Sequence, residues 1–373
     1  MPDGVGRRRK ISSWGWASAA PLALWLCAAP ARADWQRSDL PTGLGPAAIA
    51  VADLSGRGKL DLIVADTGSN DIRIFPGNGD GTFGPATSLP TGLGPASIAV
   101  ADLTGDGRPD LVIANSGIGS LTIYLQSPEM GWQRLPDLGV GRALTSVSVA
   151  DFDGDGRADL AAADPGMGTL AILRGSGDGR FTVINRIPVD PGIDYLVAAL
   201  FARDGRASIA LSDPAMSAVD FLPGLGGGQF GQRQTLSAGA RPGFLAVGDL
   251  DRDGRLDLAV ANAGSDTISV LYGDGAGGFG PPVPARVGLG PSGVAVADFD
   301  GDGRLDLAVA NASSMTLSIA KNLGAGRFES RATLSAGLRP SAVATGDFDG
   351  DGRPDVALTN AGSNSVTIYL NRR

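Results

Sequence analysis

The chain has 373 residues, 43% of them hydrophobic, with a net charge of −8, one cysteine and no histidine. Regular apolar patterning excludes a disordered chain, and the acidic balance excludes a nucleic-acid partner, because phosphate contact needs a basic face. Without histidine the usual near-neutral base, triad partner and zinc ligand are missing.

Residues 1–33 read as an export signal. Arg7, Arg8, Arg9 and Lys10 form a basic start, an Ala- and Leu-rich stretch follows from about Trp16 to Ala29, and Ala31-Arg32-Ala33 supplies a small-x-small cleavage pattern. The apolar run is short and rich in Ala and Pro, which argues against a membrane anchor. The paired arginines permit a twin-arginine route, although the residues after them match weakly. Cys27 invites a lipoprotein reading, but bulky Leu26 stands where a small residue is needed. Cleavage before Asp34 removes five basic residues and Asp3, which takes the net charge from −8 to −12. No cysteine then remains, so an exported chain must be stabilised without disulfides. The expected division is a signal over 1–33 and one domain over 34–373. The expected location is periplasmic, extracellular or cell-surface associated, without membrane insertion.

From Asp53 onward an acidic glycine loop recurs every 49 residues, beginning at Asp53, Asp102, Asp151, Leu200, Asp249, Asp298 and Asp347. A fixed period of this size marks a stacked or circular repeat. The segment around Asp298 shows the unit. Val294 to Asp298 suits a strand, Leu307 to Ala310 a second, Thr316 to Ala320 a third, and Phe328 opens a fourth. Turn residues separate them and no window has helical period. Four strands in each of seven repeats predict an all-β, seven-bladed propeller. Small residues such as Ala50/Ala52, Ala295/Ala297 and Ala344/Gly346 precede each loop, as a crowded innermost strand requires. Trp35-Gln36-Arg37 recurs as Trp132-Gln133-Arg134 in an outer strand. Phe83, Phe181, Phe230, Phe279 and Phe328 hold that position elsewhere, as expected of wedges between blades. The last repeat ends after its third strand, at Ile368-Tyr369-Leu370. The N-terminal strand is therefore expected to complete the C-terminal blade and to remove two free edges.

In four loops, positions one, three, five and nine are all aspartate. These are Asp151/Asp153/Asp155/Asp159, Asp249/Asp251/Asp253/Asp257, Asp298/Asp300/Asp302/Asp306 and Asp347/Asp349/Asp351/Asp355. Alternate residues of a tight loop can face one centre, glycine at position six permits the turn, and position seven can add a carbonyl. Hard oxygens in flexible geometry suit Ca²⁺. Asp102/Thr104/Asp106/Asp110 retains three carboxylates, so four to five Ca²⁺ sites are expected. Asp53/Ser55/Arg57/Asp61 places a cation among its ligands, where Arg57 can stand in for a metal. Leu200/Ala202/Asp204/Ser208 has lost the site. An EF-hand is excluded because position twelve is apolar and strands flank the loop. Solvated turns are the plainer alternative, but repeated carboxylates would then repel without a counterion.

The D-x-D-x-D-G-x-x-D loops, with Ala261-Asn262-Ala263-Gly264-Ser265, Gly278-Phe279-Gly280 and Gly290-Pro291-Ser292, make the mature chain resemble the FG-GAP or VCBS repeat family, which includes the α-integrin head propellers. The resemblance implies a seven-bladed propeller with Ca²⁺ between the first and second strands of a blade. It also implies that ligands often use the opposite face.

For function, the expectation is a monomeric, non-catalytic scaffold for protein interaction or adhesion, whose partner is a protein or glycan on a cell surface. A lectin-like propeller is the alternative, with Trp35, Trp132, Tyr124, Tyr195, Tyr272 and Tyr369 as the aromatics that could stack on sugar. A polysaccharide-active enzyme built on two carboxylates is a third. The expected binding face carries Asp66, Asn115, Asp164, Asp213, Asn262, Asn311 and Asn360 at the ends of second strands, with Arg142, Arg241 and Arg339 between blades.

Overall fold

The computed structural model describes residues 34–128 and 130–372; the export signal expected over 1–33 lies outside them. The described chain is all β, and no helix in it is long and apolar enough to cross a membrane. Seven antiparallel blades follow one another. Blade 1 is Pro46–Ala52, Asp61–Asp66, Asp71–Phe75 and Thr87–Pro90, in that spatial order. Blades 2 to 6 begin at Pro95, Ser146, Leu196, Pro242 and Pro291. Blade 7 is Pro340–Gly346, Asp355–Asn360 and Ser365–Asn371, and its outer strand is Trp35–Pro41.

Each inner strand packs against the inner strands of both neighbouring blades, and Pro46–Ala52 packs against Pro340–Gly346, which closes the ring. Small residues permit this approach. A Cβ on Gly346 would lie 2.6 Å from Leu60 of blade 1, and one on Gly248 2.6 Å from Leu305 of blade 6. Every second strand is buried along its whole length, for example Asp257–Asn262 and Asp306–Asn311. These strands have neighbours on both faces, so they read as apolar runs rather than as an alternation.

Position two of each loop joins the blades. Phe152 packs on Phe230 of blade 4, Phe201 on Phe279 of blade 5, and Phe348 on Phe83 of blade 1, with ring centroids 5.8, 5.6 and 5.6 Å apart. Phe299 of blade 6 meets Trp35 at 5.8 Å. Trp35 thus takes in blade 7 the wedge position that phenylalanine holds elsewhere. Its strand pairs in register with the last one, from Trp35 opposite Asn371 to Pro41 opposite Ser365.

Blade 4 departs most from the pattern. Its third strand pairs with Gln234–Ser237, and Gly224–Gly226 with Gln229–Phe230 makes a separate hairpin.

Candidate metal centre

Antiparallel pairing puts every loop between first and second strands on one face of the ring. The aspartate at position nine is the first residue of the second strand. Both its oxygens are taken by backbone N–H groups. In blade 5, Leu250 N–H donates to Asp257 Oδ2 at 2.7 Å and Gly273 N–H to Oδ1 at 2.8 Å. Asp61, Asp110, Asp159, Asp306 and Asp355 repeat the arrangement. The position-nine carboxylate therefore clamps the loop to the end of the third strand. Ser208, its counterpart in blade 4, keeps only the second bond, accepting from Gly224 N–H at 3.0 Å.

Position one closes the loop. Asp298 accepts the N–H groups of Gly301 and Gly303 at 2.8 and 2.7 Å, and Asp347 those of Gly350 and Gly352 at 2.8 Å each. Glycine at position six has φ between 72° and 84° in the loops that keep an aspartate at position one, a region that other residues enter at a cost. Position seven adds a feature that the motif does not announce. Arg108, Arg157, Arg255, Arg304 and Arg353 each pair with the position-five aspartate of their own loop. These pairs lie at the surface, where one contributes about 0–1 kcal/mol, so a divalent ion can compete for the same oxygens.

Loops 3, 5, 6 and 7 converge, each through three carboxylates rather than the expected four. Oxygens of Asp151, Asp153 and Asp159 lie within 4.8 Å of one another, as do those of Asp249, Asp251 and Asp257, of Asp298, Asp300 and Asp302, and of Asp347, Asp349 and Asp351. The fourth expected ligand stands outside each group; the arginine pairing at position five and the backbone clamp at position nine are common to all four loops and do not decide which one it is. In loop 3 it is Asp155, whose Oδ1 accepts Arg157 N–H at 2.9 Å and whose Oδ2 pairs with the Arg157 guanidinium. In loop 5 it is Asp253, paired in the same way with Arg255. In loops 6 and 7 it is the position-nine carboxylate, Asp306 or Asp355, which the backbone clamp holds. All-oxygen donor sets of this kind fit a hard divalent cation.

The four groups differ in residual charge. Asp153 is paired with Arg174 at 2.5 Å, Asp300 with Lys321 and Arg331 at 2.6 and 2.8 Å, and Asp349 with Arg372. In loop 5 the equivalent third-strand residue is Tyr272. Burial, then the charges of Asp253 and Asp249, push the Asp251 carboxyl above its ordinary range. Loop 5 is the most under-compensated and fits a cation best.

The other loops converge less. Loop 2, where a site was expected at Asp102, Thr104, Asp106 and Asp110, forms no such carboxylate cluster among the described residues. Thr104 turns back on its own loop, its N–H donating to Asp102 Oδ1 at 3.1 Å and its hydroxyl to the same oxygen at 3.5 Å. Asp106 is paired with Arg108, and burial raises the Asp102 carboxyl less than four backbone N–H groups lower it. With threonine at position three, the loop lacks the carboxylate around which the other groups form. Arg57 donates to Ser55 Oγ at 2.8 Å, and no ion pair joins it to Asp53 or Asp61 among the described residues. Loop 4 lacks the ligands but keeps a backbone link to the next blade, as loops 3 and 7 do: Arg203 N–H donates to Gly275 O at 3.2 Å.

Burial chiefly, with nearby aspartates adding to it, raises Asp257 and Asp306 to about 6 and Asp355 to about 7. An unfolded carboxyl titrates near 3.8. Between pH 4 and 7 the metal-free folded state therefore holds protons that the unfolded state has shed, and its stability falls as pH rises. The loss is on the order of 3–4 kcal/mol per carboxyl at most. Denaturant titrations in chelator should give a lower midpoint at pH 7.5 than at pH 5, and saturating calcium should flatten that slope. A chelated protein more stable at pH 7.5 would refute the assignment.

The opposite face corrects another expectation. Asp66, Asn115, Asp164, Asp213, Asn262, Asn311 and Asn360 are 0–1% exposed and cannot form a binding surface. They hold the connections between blades. Asp66 accepts Gly43 N–H at 2.9 Å, Asn262 accepts Gly239 N–H at 3.1 Å, and Asn360 accepts Gly337 N–H at 2.9 Å. Arg142, Arg241 and Arg339 are exposed on that face. The surface also carries something unforeseen. Leu44, Leu93, Leu289 and Leu338 are 54–58% exposed and stand at equivalent points, 49 residues apart or a multiple of it. They lead into blades 1, 2, 6 and 7, which adjoin in the closed ring. Ile118, Met167, Met216 and Met315, on the turns between second and third strands, add to this face.

Known proteins share both the repeat and the architecture. The FG-GAP-like repeat family matches residues 53–113, 102–162, 151–211, 249–309 and 298–358. No curated protein matches the chain significantly. Among solved structures the chain is similar to BBS1N in complex with ARL6DN, with a TM-score of 0.66 at 15% identity over 92% of this chain and 98% of that one. It is also similar to an Agrocybe aegerita lectin that recognises non-reducing terminal N-acetylglucosamine (TM-score 0.53, 18% identity, 88% and 86% covered). A third is the periplasmic gluconolactonase of Pseudomonas aeruginosa (TM-score 0.60, 20% identity, 79% and 86% covered). At these identities the likeness is one of fold. It nevertheless overturns the expectation that the chain is not an enzyme. The same architecture serves a gluconolactonase, so the propeller does not exclude catalysis.

Proposed function

The chain belongs to the FG-GAP-like repeat family, and we propose that it is an exported, calcium-stabilised propeller that holds a protein partner against the face opposite its acidic loops. The observation that carries this reading is the arc of Leu44, Leu93, Leu289 and Leu338, at nearly equal exposure on four adjoining blades. A folded chain gains nothing by exposing large aliphatic side chains at a repeated position, and contiguous apolar surface marks interaction sites. Arg142, Arg241 and Arg339 border the arc, and arginine beside apolar anchors is a common interface composition. Export rests on the pattern of residues 1–33. Calcium rests on the donor sets of loops 3, 5, 6 and 7.

A glycan partner is less well supported, because the aromatics are committed to packing. Trp35, Tyr124 and Tyr369 are at most 9% exposed. Tyr124 donates to Pro90 O at 2.6 Å, and Tyr195 stacks on Phe244.

The test is capture of partners from the producing cell's envelope by immobilised protein. Leu44→Asp with Leu338→Asp should weaken capture by roughly 10–100-fold while the calcium count and melting temperature hold. Unchanged capture would remove the leucine arc from function. Capture competed by free sugar would transfer the reading to a lectin.

A further inference from the structure

Blade 4 has lost its loop ligands, yet it gathers carboxylates at the other end of the same strands. At the register of Asp213, blades 5 and 6 place compatible partners. Asn262 Nδ2 donates to Ser269 Oγ at 3.0 Å, and Asn311 Nδ2 to Ser318 Oγ at 3.0 Å. Two blades set an acid against an acid at this end: blade 1 places Asp66 opposite Asp71, with Arg73 at 3.6 Å from each, and blade 4 places Asp213 beside Asp220. A third carboxylate joins them. The connection into a blade carries glycine at this point in all the others, and a Cβ on Gly141 would lie 1.8 Å from Asp164 Oδ2. Blade 4 has Asp190 instead, and oxygens of Asp190, Asp213 and Asp220 lie within 4.8 Å of one another.

The charges are not compensated. Arg233 bridges Asp190 at 2.9 Å and Asp220 at 3.1 Å, and Thr235 donates to Asp220 Oδ1 at 2.9 Å. One guanidinium thus reaches two of the three carboxylates. Asp213 receives the N–H groups of Ala215 and Met216 on Oδ1, at 3.0 Å each. Its Oδ2 has no hydrogen-bond partner, although Asp213 is only 1% exposed. A buried carboxylate oxygen left unpaired is costly, and a cation among the three groups would satisfy it.

We propose that Asp190, Asp213 and Asp220 form a divalent-cation site in blade 4, on the face opposite the acidic loops. The all-carboxylate donor set selects a hard ion, Ca²⁺, Mg²⁺ or Mn²⁺, over one that prefers nitrogen or sulfur. Asp213 and Asp220 form its buried floor, and Asp190, with a side chain 44% exposed, forms its solvent rim. Arg233, 37% exposed, competes with the ion for Asp220 and can swing outward.

Manganese is the probe, because it enters both calcium- and magnesium-type oxygen sites. Bound ions are counted by the loss of the free-ion electron paramagnetic resonance signal. Asp213→Asn with Asp220→Ser installs the amide–hydroxyl pair of blades 5 and 6, so the variant should fold, and it should bind one ion fewer than the parent. Asp190→Ala, at the exposed rim, should weaken that same site even if the double variant does not fold. Arg233→Gln should tighten it on the order of tenfold, by removing the competing charge. The loops contribute equally to every protein, so the difference of one ion stands whether or not they bind. Equal ion counts in the parent and in both the Asp190→Ala and double variants would overturn the site and leave an acid cluster neutralised by Arg233 and a shared proton.

Discussion

Stripping divalent cations from the folded protein should lower its melting temperature by roughly 15 °C, and calcium should restore it. At a hundredfold excess over Kd, an ion that binds only the native state stabilises it by about 3 kcal/mol. Four converged loops then contribute on the order of 10 kcal/mol, which the unfolding entropy of a domain of this size converts into a shift of roughly that many degrees. The effect acts between blades as well as within loops. Carbonyls of position-two residues accept from the next blade: Leu250 O from Asn322 Nδ2 at 2.7 Å, and Phe299 O from Asn371 Nδ2 at 2.8 Å. Ordering a loop therefore also orders the latch beside it. Asp251→Ala should remove one ion and most of one site's contribution, because loop 5 has no basic side chain on its position-three carboxylate. Asp204→Ala, in the loop without ligands, should leave the count unchanged. An identical melting curve in verified metal-free protein would refute the calcium assignment as a whole.

The ring was legible because a 49-residue period without slippage fixes every loop, strand and wedge at once. Phe152, Phe201 and Phe348 recur at position two for the same reason that Phe83, Phe230 and Phe279 recur in outer strands. Each group is the other's partner across a blade boundary. The site was less legible because it depends on which strands meet. Nothing within D-x-D-x-D-G-x-x-D discloses that Asp257 is clamped by the Gly273 amide sixteen residues on, or that Arg174 and Lys321 return from third strands to position three. Asp155 and Thr104 were expected as ligands on spacing alone. Spacing does not show that the first stands outside the convergent group of its loop, or that the second bonds back to Asp102. The strand-end residues from Asp66 to Asn360 were misplaced because polarity suggested surface, whereas packed connections bury their side chains. The exposed leucines were readable, since their spacing equals the loop period. Missing histidine misled for a different reason. It removes one kind of acid–base group, while a fold that presents this many carboxylates retains others.

Removing the N-terminal strand should be at least as damaging as removing calcium. The pairing of Trp35–Pro41 with Ser365–Asn371 supplies the outer edge of blade 7, and Arg372 N–H donates to Asp34 O at 2.8 Å beyond it. Trp35 is buried between Phe299 of blade 6 and Tyr369 of its own blade, at 5.8 and 6.5 Å in edge-to-face contact. Trp35→Ala should therefore cost about 3–5 kcal/mol, the range for deleting a buried aromatic. Trp35→Phe restores the side chain that most blades carry at this position and should recover much of that loss. Deleting residues 34–43 goes further. It uncovers the backbone of Ser365–Asn371 as an open edge and removes Thr42 N–H from Asn364 O, a bond of 3.0 Å at the connection into blade 1. An unpaired edge of that length is a template for intermolecular pairing. The truncated protein should melt lower and aggregate on concentration, as light scattering would show. If it stays monomeric with an unchanged melting temperature, the last blade is stable with three strands, and closure by the N-terminal strand does not hold the ring together.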